Sequence, residues 1–333
     1  MNSVSDTELC ESCQVNGKKA AVIGCGFVGS SIAFTLMQRS SFSELVLLDI
    51  DRKKAEGEAL DIGHGLPYSA PMEIYAGDYD DVKDAALIII TAGANQKQGE
   101  TRLDLIDRNL KIFSTIIPEL KKRECKGIVL VVSNPVDILT YAAIKMSGFP
   151  PERVIGSGTV LDTARLKYLL GRELDVDARS VHAVIVGEHG DSELAVWSGA
   201  NVSGVELSHF CELRGVVNYK ACMQRIYSEV RDSAYEIIQR KGATYYGIAM
   251  AVARIAESIT RDEHSILPVS TLLGGEYGIE GICLSIPSVV GSKGVEKILE
   301  VPLSGMEQRE LTRSAAALAE AVKHADMAAQ GVN

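Results

Sequence analysis

Residues 19–39 constrain the fold more than any other stretch. KAAVIG (19–24) is a short apolar run that passes without a linker into Gly24-Cys25-Gly26-Phe27-Val28-Gly29, and helical spacing follows as far as Arg39. A strand that turns on glycines directly into a helix is the opening of a βαβ unit, and G-x-G-x-x-G in that context predicts a dinucleotide site. Gly24 suits the tight turn, Gly26 the close approach of backbone to a pyrophosphate, and Gly29 the packing of helix on sheet. The helix N-terminus adds free N–H groups and partial positive charge. An acid should close the next strand about 20 residues later. Asp49 does so at the end of ELVLLD (44–49), 20 residues after Gly29. Its carboxylate can accept from ribose hydroxyls and would repel a 2′-phosphate, which favours NAD over NADP.

The alternation continues downstream. Residues 51–65 have helical spacing, MEIYAG (72–77) and ALIIIT (86–91) read as strands, and the polar segment GANQKQGETR (93–102) precedes a helix reaching about Arg123. GIVLVVSNP (127–135) is a strand stopped by proline, followed by a helix over 136–148. Strands that are apolar throughout need cover on both faces, as in a parallel sheet between helices. The pattern changes after Pro150-Pro151. A helix is predicted over 161–171 with Gly171 as its stop, then strand-turn-strand over 180–197 and two helices over 218–240 and 243–258. ILPVSTLL and GICLSIPSVVG read as antiparallel strands, and a last helix over 306–325 turns Leu311, Ala315, Leu318 and Val322 to one face. The expected architecture is α/β: a mobile tail (1–17), a Rossmann-type doubly wound parallel sheet that binds NAD (18–156), and an α+β substrate domain (157–333).

Composition narrows the function. Lys and Arg total 34 against 44 Asp and Glu, a net charge of −10, so a polyanion such as nucleic acid is not the expected partner. With 46% hydrophobic and 23% charged residues the chain can build a core, which excludes disorder as its main state. Apolar runs such as IVLVV (128–132) fall far short of a membrane span of ~18–20 residues. The first 17 residues lack a cationic start and an apolar centre, and Asp6, Glu8 and Glu11 argue against a transit peptide, so a cytoplasmic location is expected. Seven scattered cysteines fit free thiols in a reducing compartment. Cys10 and Cys13 have no second pair to complete a zinc site, and no metal is expected.

The second half carries Gly187-Glu188-His189-Gly190-Asp191-Ser192, a histidine between glycines in a turn between strands. Such a turn leaves the ring exposed and approachable. Asp162 and Arg165, three apart on a helix, share a face. An Asp can fix the tautomer of a histidine and raise its pKa into a useful acid–base range. An Arg can hold a carboxylate through two parallel hydrogen bonds.

Seven segments in this order, AVIGCGFVG, LLDI, TAGANQKQGETRLDLIDRN, VVSNPVDILTY, GSGTVLDTARL, GEHGDSELAVWS and KGATYYGIA, span most of residues 18–325. On them the chain resembles the lactate/malate dehydrogenase family, its bacterial L-lactate type in particular. The resemblance implies reversible hydride transfer between NAD and a small 2-hydroxy acid, with pyruvate and L-lactate as the substrate pair. It implies His189 as the proton donor and acceptor, Asp162 as its orienting partner, Arg165 as the clamp on the substrate carboxylate and Arg102 as the group that polarises the reacting carbonyl. The segment 93–102 would be a lid. Asn134 and Thr244 would contact substrate, and Thr91, Gly93, Val132, Asn134 and Ile248 would join Gly24, Gly26, Phe27, Val28, Gly29 and Asp49 around the cofactor. A homotetramer is implied, and Lys167 and His182 occupy positions where allosteric relatives bind fructose 1,6-bisphosphate, with Lys167 departing from the usual Arg.

In the family the lid carries Arg in malate enzymes and Gln in lactate enzymes at the position of Gln96. A second substrate carboxylate buried without a second cation costs several kcal/mol, so Gln96 favours pyruvate over oxaloacetate; Lys97 is adjacent, but neighbours in an extended lid point apart. Malate or another L-2-hydroxy acid is the alternative substrate. NAD-dependent glycoside hydrolases share the fold but need a metal site with Cys and His, which is not apparent beside GEHGD. A non-catalytic relative should have lost at least one of Arg102, Asp162, Arg165 and His189.

Overall fold

The apolar strands read from the sequence need helices on both sides, and they have them. The computed structural model describes residues 15–94 and 102–330. In chain order the first half runs β1 (Asn16–Ile23), α1 (Phe27–Arg39), β2 (Glu44–Leu48), α2 (Arg52–Gly63), β3 (Glu73–Ala76), β4 (Ala85–Ile90), α3 (Arg102–Lys122), β5 (Ile128–Val131), α4 (Val136–Ser147) and β6 (Val154–Gly156). Then follow α5 (Val160–Leu174), β7 (Val181–His182), β8 (Ile185–Val186), β9 (Leu194–Ala195), β10 (Asn201–Val202), β11 (Val205–Glu206), α6 (Leu207–Leu213), α7 (Tyr219–Lys241) and α8 (Tyr246–Thr260). The chain closes with β12 (Ser265–Gly274), β13 (Glu280–Gly291), β14 (Gly294–Ile298) and α9 (Gly305–Gln330).

The order β3-β2-β1-β4-β5-β6 is parallel throughout, and β1 lies between β2 and β4. The crevice between β1 and β4, at their carboxyl ends, is where such a sheet binds ligands. Alternate residues of each strand serve two separate cores. Ala21, Ile23, Ile88 and Ile90 pack on the side of α3, α4 and α9, and Ala20, Val22, Leu87 and Ile89 on the side of α1 and α8. Each such Leu or Ile contributes ~1.5–3 kcal/mol by leaving water.

The sheet does not stop where the sequence pattern changes. β12 pairs antiparallel with β6 at Ser270 and Gly156, and β13 and β14 extend it, so nine strands form one mixed sheet. The three residues of β6 are too short to stand out after the double proline. Gly171 is not a helix stop. It lies inside α5, where a Cβ would come within 2.9 Å of the Val176 carbonyl, so it allows close packing; Asp175, at φ 51°, ends the helix. The segment 180–197 splits into three short strands, and the hairpin that presents the histidine turn is β8–β9 alone. Among the described residues no helix is long and apolar enough to cross a membrane. Cys10 and Cys13 lie outside the described residues.

Candidate active site

The glycine loop follows β1 at the β1/β4 crevice. Gly24 has φ +105°, and a Cβ there would lie 2.5 Å from the Ala92 nitrogen. A Cβ on Gly29 would lie 1.8 Å from the Gly24 carbonyl oxygen, so neither position admits a side chain without moving backbone. Gly26 faces open space. Thr91, just past β4, donates from Oγ1 to the Gly24 carbonyl at 2.6 Å and braces the turn. Asp49 accepts from Cys25 N–H at 2.7 Å and from Asp51 N–H at 3.0 Å. The carboxylate thus ties the loop to the end of β2, a role the spacing rule does not reveal. An open glycine at a helix N-terminus with an acid at the next strand end fits an NAD cradle. Cys25 is buried in the loop, and burial with the Asp49 charge pushes its thiol up to about 12, which makes it a poor nucleophile.

Val28 and Ile248 pack on the same core cluster, and the Phe27 ring stacks on Tyr245 with centroids 5.4 Å apart. The glycine loop therefore meets the loop before α8 that carries Thr244. At the ends of β4 and β5, Val132 N–H donates to the Ile90 carbonyl at 2.9 Å, and Gly93 lies against Ser133. Asn134 is held through its carbonyl, which accepts from Asn109 Nδ2 at 2.7 Å; Asn109 Oδ1 accepts from Ala94 N–H at 2.7 Å. Asn109 is fully buried and fixes the point where the expected lid departs. Sequence reasoning passed over it, although it ends the quoted DRN. Arg102 opens α3. Its side chain and the whole of Gln96 lie outside the described residues.

The histidine turn is clamped from three sides. Gly187 exchanges two backbone hydrogen bonds with Ser285 of β13, at 2.9 and 3.0 Å. Glu188 N–H donates to Ser314 Oγ of α9 at 2.8 Å. His189 N–H donates to Asp137 Oδ2 of α4 at 2.8 Å, and Ser270 Oγ of β12 donates to Asp137 Oδ1 at 2.6 Å. The ring is not as exposed as a turn between glycines suggests, because the turn folds back onto α5. There His189 Nδ1 lies 2.6 Å from Asp162 Oδ2, and Arg165 Nη1 donates to Asp162 Oδ1 at 2.7 Å. The three residues that the sequence placed together are therefore in contact.

Burial opposes charge on His189, but the Asp162 carboxylate and its hydrogen bond outweigh it and carry the imidazole up to about 9. Burial likewise opposes the Asp162 charge, and His189 and Arg165 overcome it and hold this carboxyl below its usual range. With Nδ1 committed to Asp162, Nε2 is left to exchange a proton. The arrangement is an oriented acid–base beside a guanidinium.

Lys167 and His182 line a cavity of about 1430 Å³ whose lining includes none of His189, Asp162 and Arg165, together with Arg39, Arg179 and Arg254. Burial lowers the Lys167 pKa.

Residues 18–156 match the model of the lactate/malate dehydrogenase NAD-binding domain, and residues 159–328 that of the lactate/malate dehydrogenase alpha/beta C-terminal domain. An L-lactate dehydrogenase of Acetivibrio thermocellus is 53% identical over 93% of this chain and 98% of its own. One from Priestia megaterium is 52% identical over 90% of this chain and 94% of its own. Among solved structures, a lactate dehydrogenase from a Medee basin deep-sea metagenome library is similar at a TM-score of 0.90 and 46% identity, covering 92% of this chain and 98% of that one. The minor L-lactate dehydrogenase of Enterococcus mundtii is similar at 0.89 and 41%, covering 93% and 98%. With the glycine cradle, the acid at the end of β2 and the His–Asp–Arg cluster in place, the chain belongs to the lactate/malate dehydrogenase family.

Proposed function

We propose that the chain is an NAD-dependent L-lactate dehydrogenase that interconverts pyruvate and L-lactate. The single observation that carries the chemistry is the buried Asp162 bridging His189 Nδ1 and Arg165. When bound, NAD would supply the chemistry of hydride transfer, from the reduced form in one direction and to the oxidised form in the other. Gly24, Gly26, Phe27, Val28, Gly29, Asp49, Thr91, Gly93, Val132, Asn134 and Ile248 would hold the cofactor. Charged His189 donates its Nε2 proton to the keto oxygen of pyruvate, and neutral His189 takes the proton from lactate. Asp162 keeps Nδ1 protonated and the ring in place. Arg165 presents its remaining N–H groups to the substrate carboxylate, while Asn134 and Thr244 line the substrate. Arg102 stabilises the charge developing on the carbonyl oxygen.

The malate alternative is not favoured. Gln96 offers no cation for a second carboxylate, and the relatives named above are lactate enzymes. Gln96→Arg is expected to raise kcat/KM for oxaloacetate relative to pyruvate by at least about tenfold. An unchanged ratio in steady-state assays rejects this role for Gln96.

We also read the enzyme as a cytoplasmic homotetramer serving glycolytic fermentation, with fructose 1,6-bisphosphate as an allosteric activator at Lys167 and His182. Several cations around one large cavity in an acidic chain support an anionic effector there. Activity at low pyruvate should rise as fructose 1,6-bisphosphate is added, and a flat response removes the effector. Light scattering should give four times the chain mass.

A further inference from the structure

One buried carboxyl beside the reacting pair has no part in the mechanism above. Glu193 follows the histidine turn, is 5% exposed, and its Oε1 has no hydrogen-bond partner among the described residues. An oxygen of Glu193, an oxygen of Asp162 and a ring nitrogen of His189 all lie within 4.8 Å of one another. The backbone of Glu193 is pinned on both sides. Its N–H donates to the Gly190 carbonyl at 3.1 Å, and its own carbonyl accepts from the Tyr227 hydroxyl of α7. The backbone is thus held at the turn, and burial keeps the side chain beside the pair. A glutamine or an apolar residue would fill the same space without the cost of an uncompensated acid, so its presence calls for an electrostatic account.

We propose that Glu193 is a positioning residue for proton transfer, a second buried carboxyl beside Asp162 that, once ionised on the alkaline side, keeps His189 in its charged, proton-donating form. This inference rests on the reading of His189 as the proton donor to pyruvate. Burial, followed by the Asp162 charge, raises the Glu193 carboxyl to about 8, and His189, Arg165 and Arg231 act in the other direction. The remaining groups around the cluster are Asp137 from α4, Glu188 and Asp191 in the turn, Tyr227 from α7, and Ser314 from α9. The three acid–base groups lose protons as a coupled set. As pH rises, Glu193 gives one proton to solvent. The negative charge left beside the imidazolium then holds the His189 proton in place for the keto oxygen.

The test is Glu193→Gln, which keeps the shape and removes the charge. Single-turnover rates of pyruvate reduction and of lactate oxidation are followed against pH at saturating substrate. Reduction needs charged His189 and oxidation needs it neutral, so the alkaline limb of the first and the acid limb of the second should both move down by about one pH unit. Glu193→Asp, which retains a carboxyl, should recover at least about half of that shift. Should Glu193→Gln fail to fold by circular dichroism, Glu193→Ser is the second neutral variant, with the same shift expected. Limbs that stay in place in a folded neutral variant, whatever its rate, overturn the proposal, because lost packing lowers rates without moving their pH dependence. A wild-type enzyme that does not turn over pyruvate rejects the underlying reading instead.

Discussion

Asp49 and Asp162 each fix a loop at a ligand site, and their settings are opposite. Asp49, half-exposed at the end of β2, is held by two backbone N–H groups, those of Cys25 and Asp51. Asp162, buried in α5, is held by two cationic side chains, those of His189 and Arg165. The proposed cofactor region works by shape, through glycines where a Cβ would meet backbone, at Gly24 and Gly29, or where space is left open, at Gly26. The catalytic region works by charge taken out of water, where each group sets the protonation of the next. Changes in the first region should therefore appear as affinity and stability. Changes in the second should appear as turnover and pH dependence.

The largest expected effect is on the catalytic side. His189→Asn should lower kcat for pyruvate by about 10²–10⁴ while NADH affinity, read by fluorescence titration, stays within about threefold of wild type. Equal loss of both would break the division between the regions. Arg165→Lys keeps a cation for Asp162 but loses the fork, and should raise the KM for pyruvate about 10–100-fold. A KM within a factor of about two of wild type would remove the clamp from Arg165.

The glycines sharpen the other side. Gly29→Ala forces a Cβ onto the Gly24 carbonyl and should cost about 1–3 kcal/mol of stability, seen as a lowered Tm. Gly26→Ala enters open space and should leave Tm unchanged while weakening NADH binding about tenfold. If both variants lower Tm alike, the loop is not the cradle described above. The smallest effect is expected from Asp49→Asn, a narrowing of the preference for NADH over NADPH by about fivefold, read from the two values of kcat/KM.

The pH dependence follows from His189. Its folded pKa of about 9 lies above the unfolded value near 6.5, so the stability it contributes is complete below about pH 6.5 and is lost as pH rises through about 9. Pyruvate reduction should fall over the upper part of that range, and lactate oxidation should rise. Thermal melts against pH check the first statement, and initial rates in both directions check the second.

The sequence exposed the residues whose partners lie close by or at a fixed offset. The glycines and Asp49 follow from a strand-turn-helix rule, and Asp162 and Arg165 from one helical turn. It did not expose residues whose partners arrive from distant elements. Asp137 meets His189 across 52 residues and Ser270 across 133, and Glu188 meets Ser314 across 126. Nothing local marks these pairs, because a buried polar side chain is defined by what surrounds it. The single sheet was hidden for the same reason. One bridge between Ser270 and Gly156 joins the parallel strands to the antiparallel ones, and a pairing that short leaves no periodic signal. Gly171 was misread because a glycine that allows close packing and one that ends a helix look alike in sequence.

The most direct test of the division between cradle and charge cluster is the wild-type enzyme itself, with NADH absorbance followed in the presence of pyruvate or oxaloacetate at neutral pH. The account predicts NADH consumption with a kcat/KM for pyruvate at least about 10²-fold above that for oxaloacetate. No consumption with pyruvate, or a preference for oxaloacetate, would contradict it.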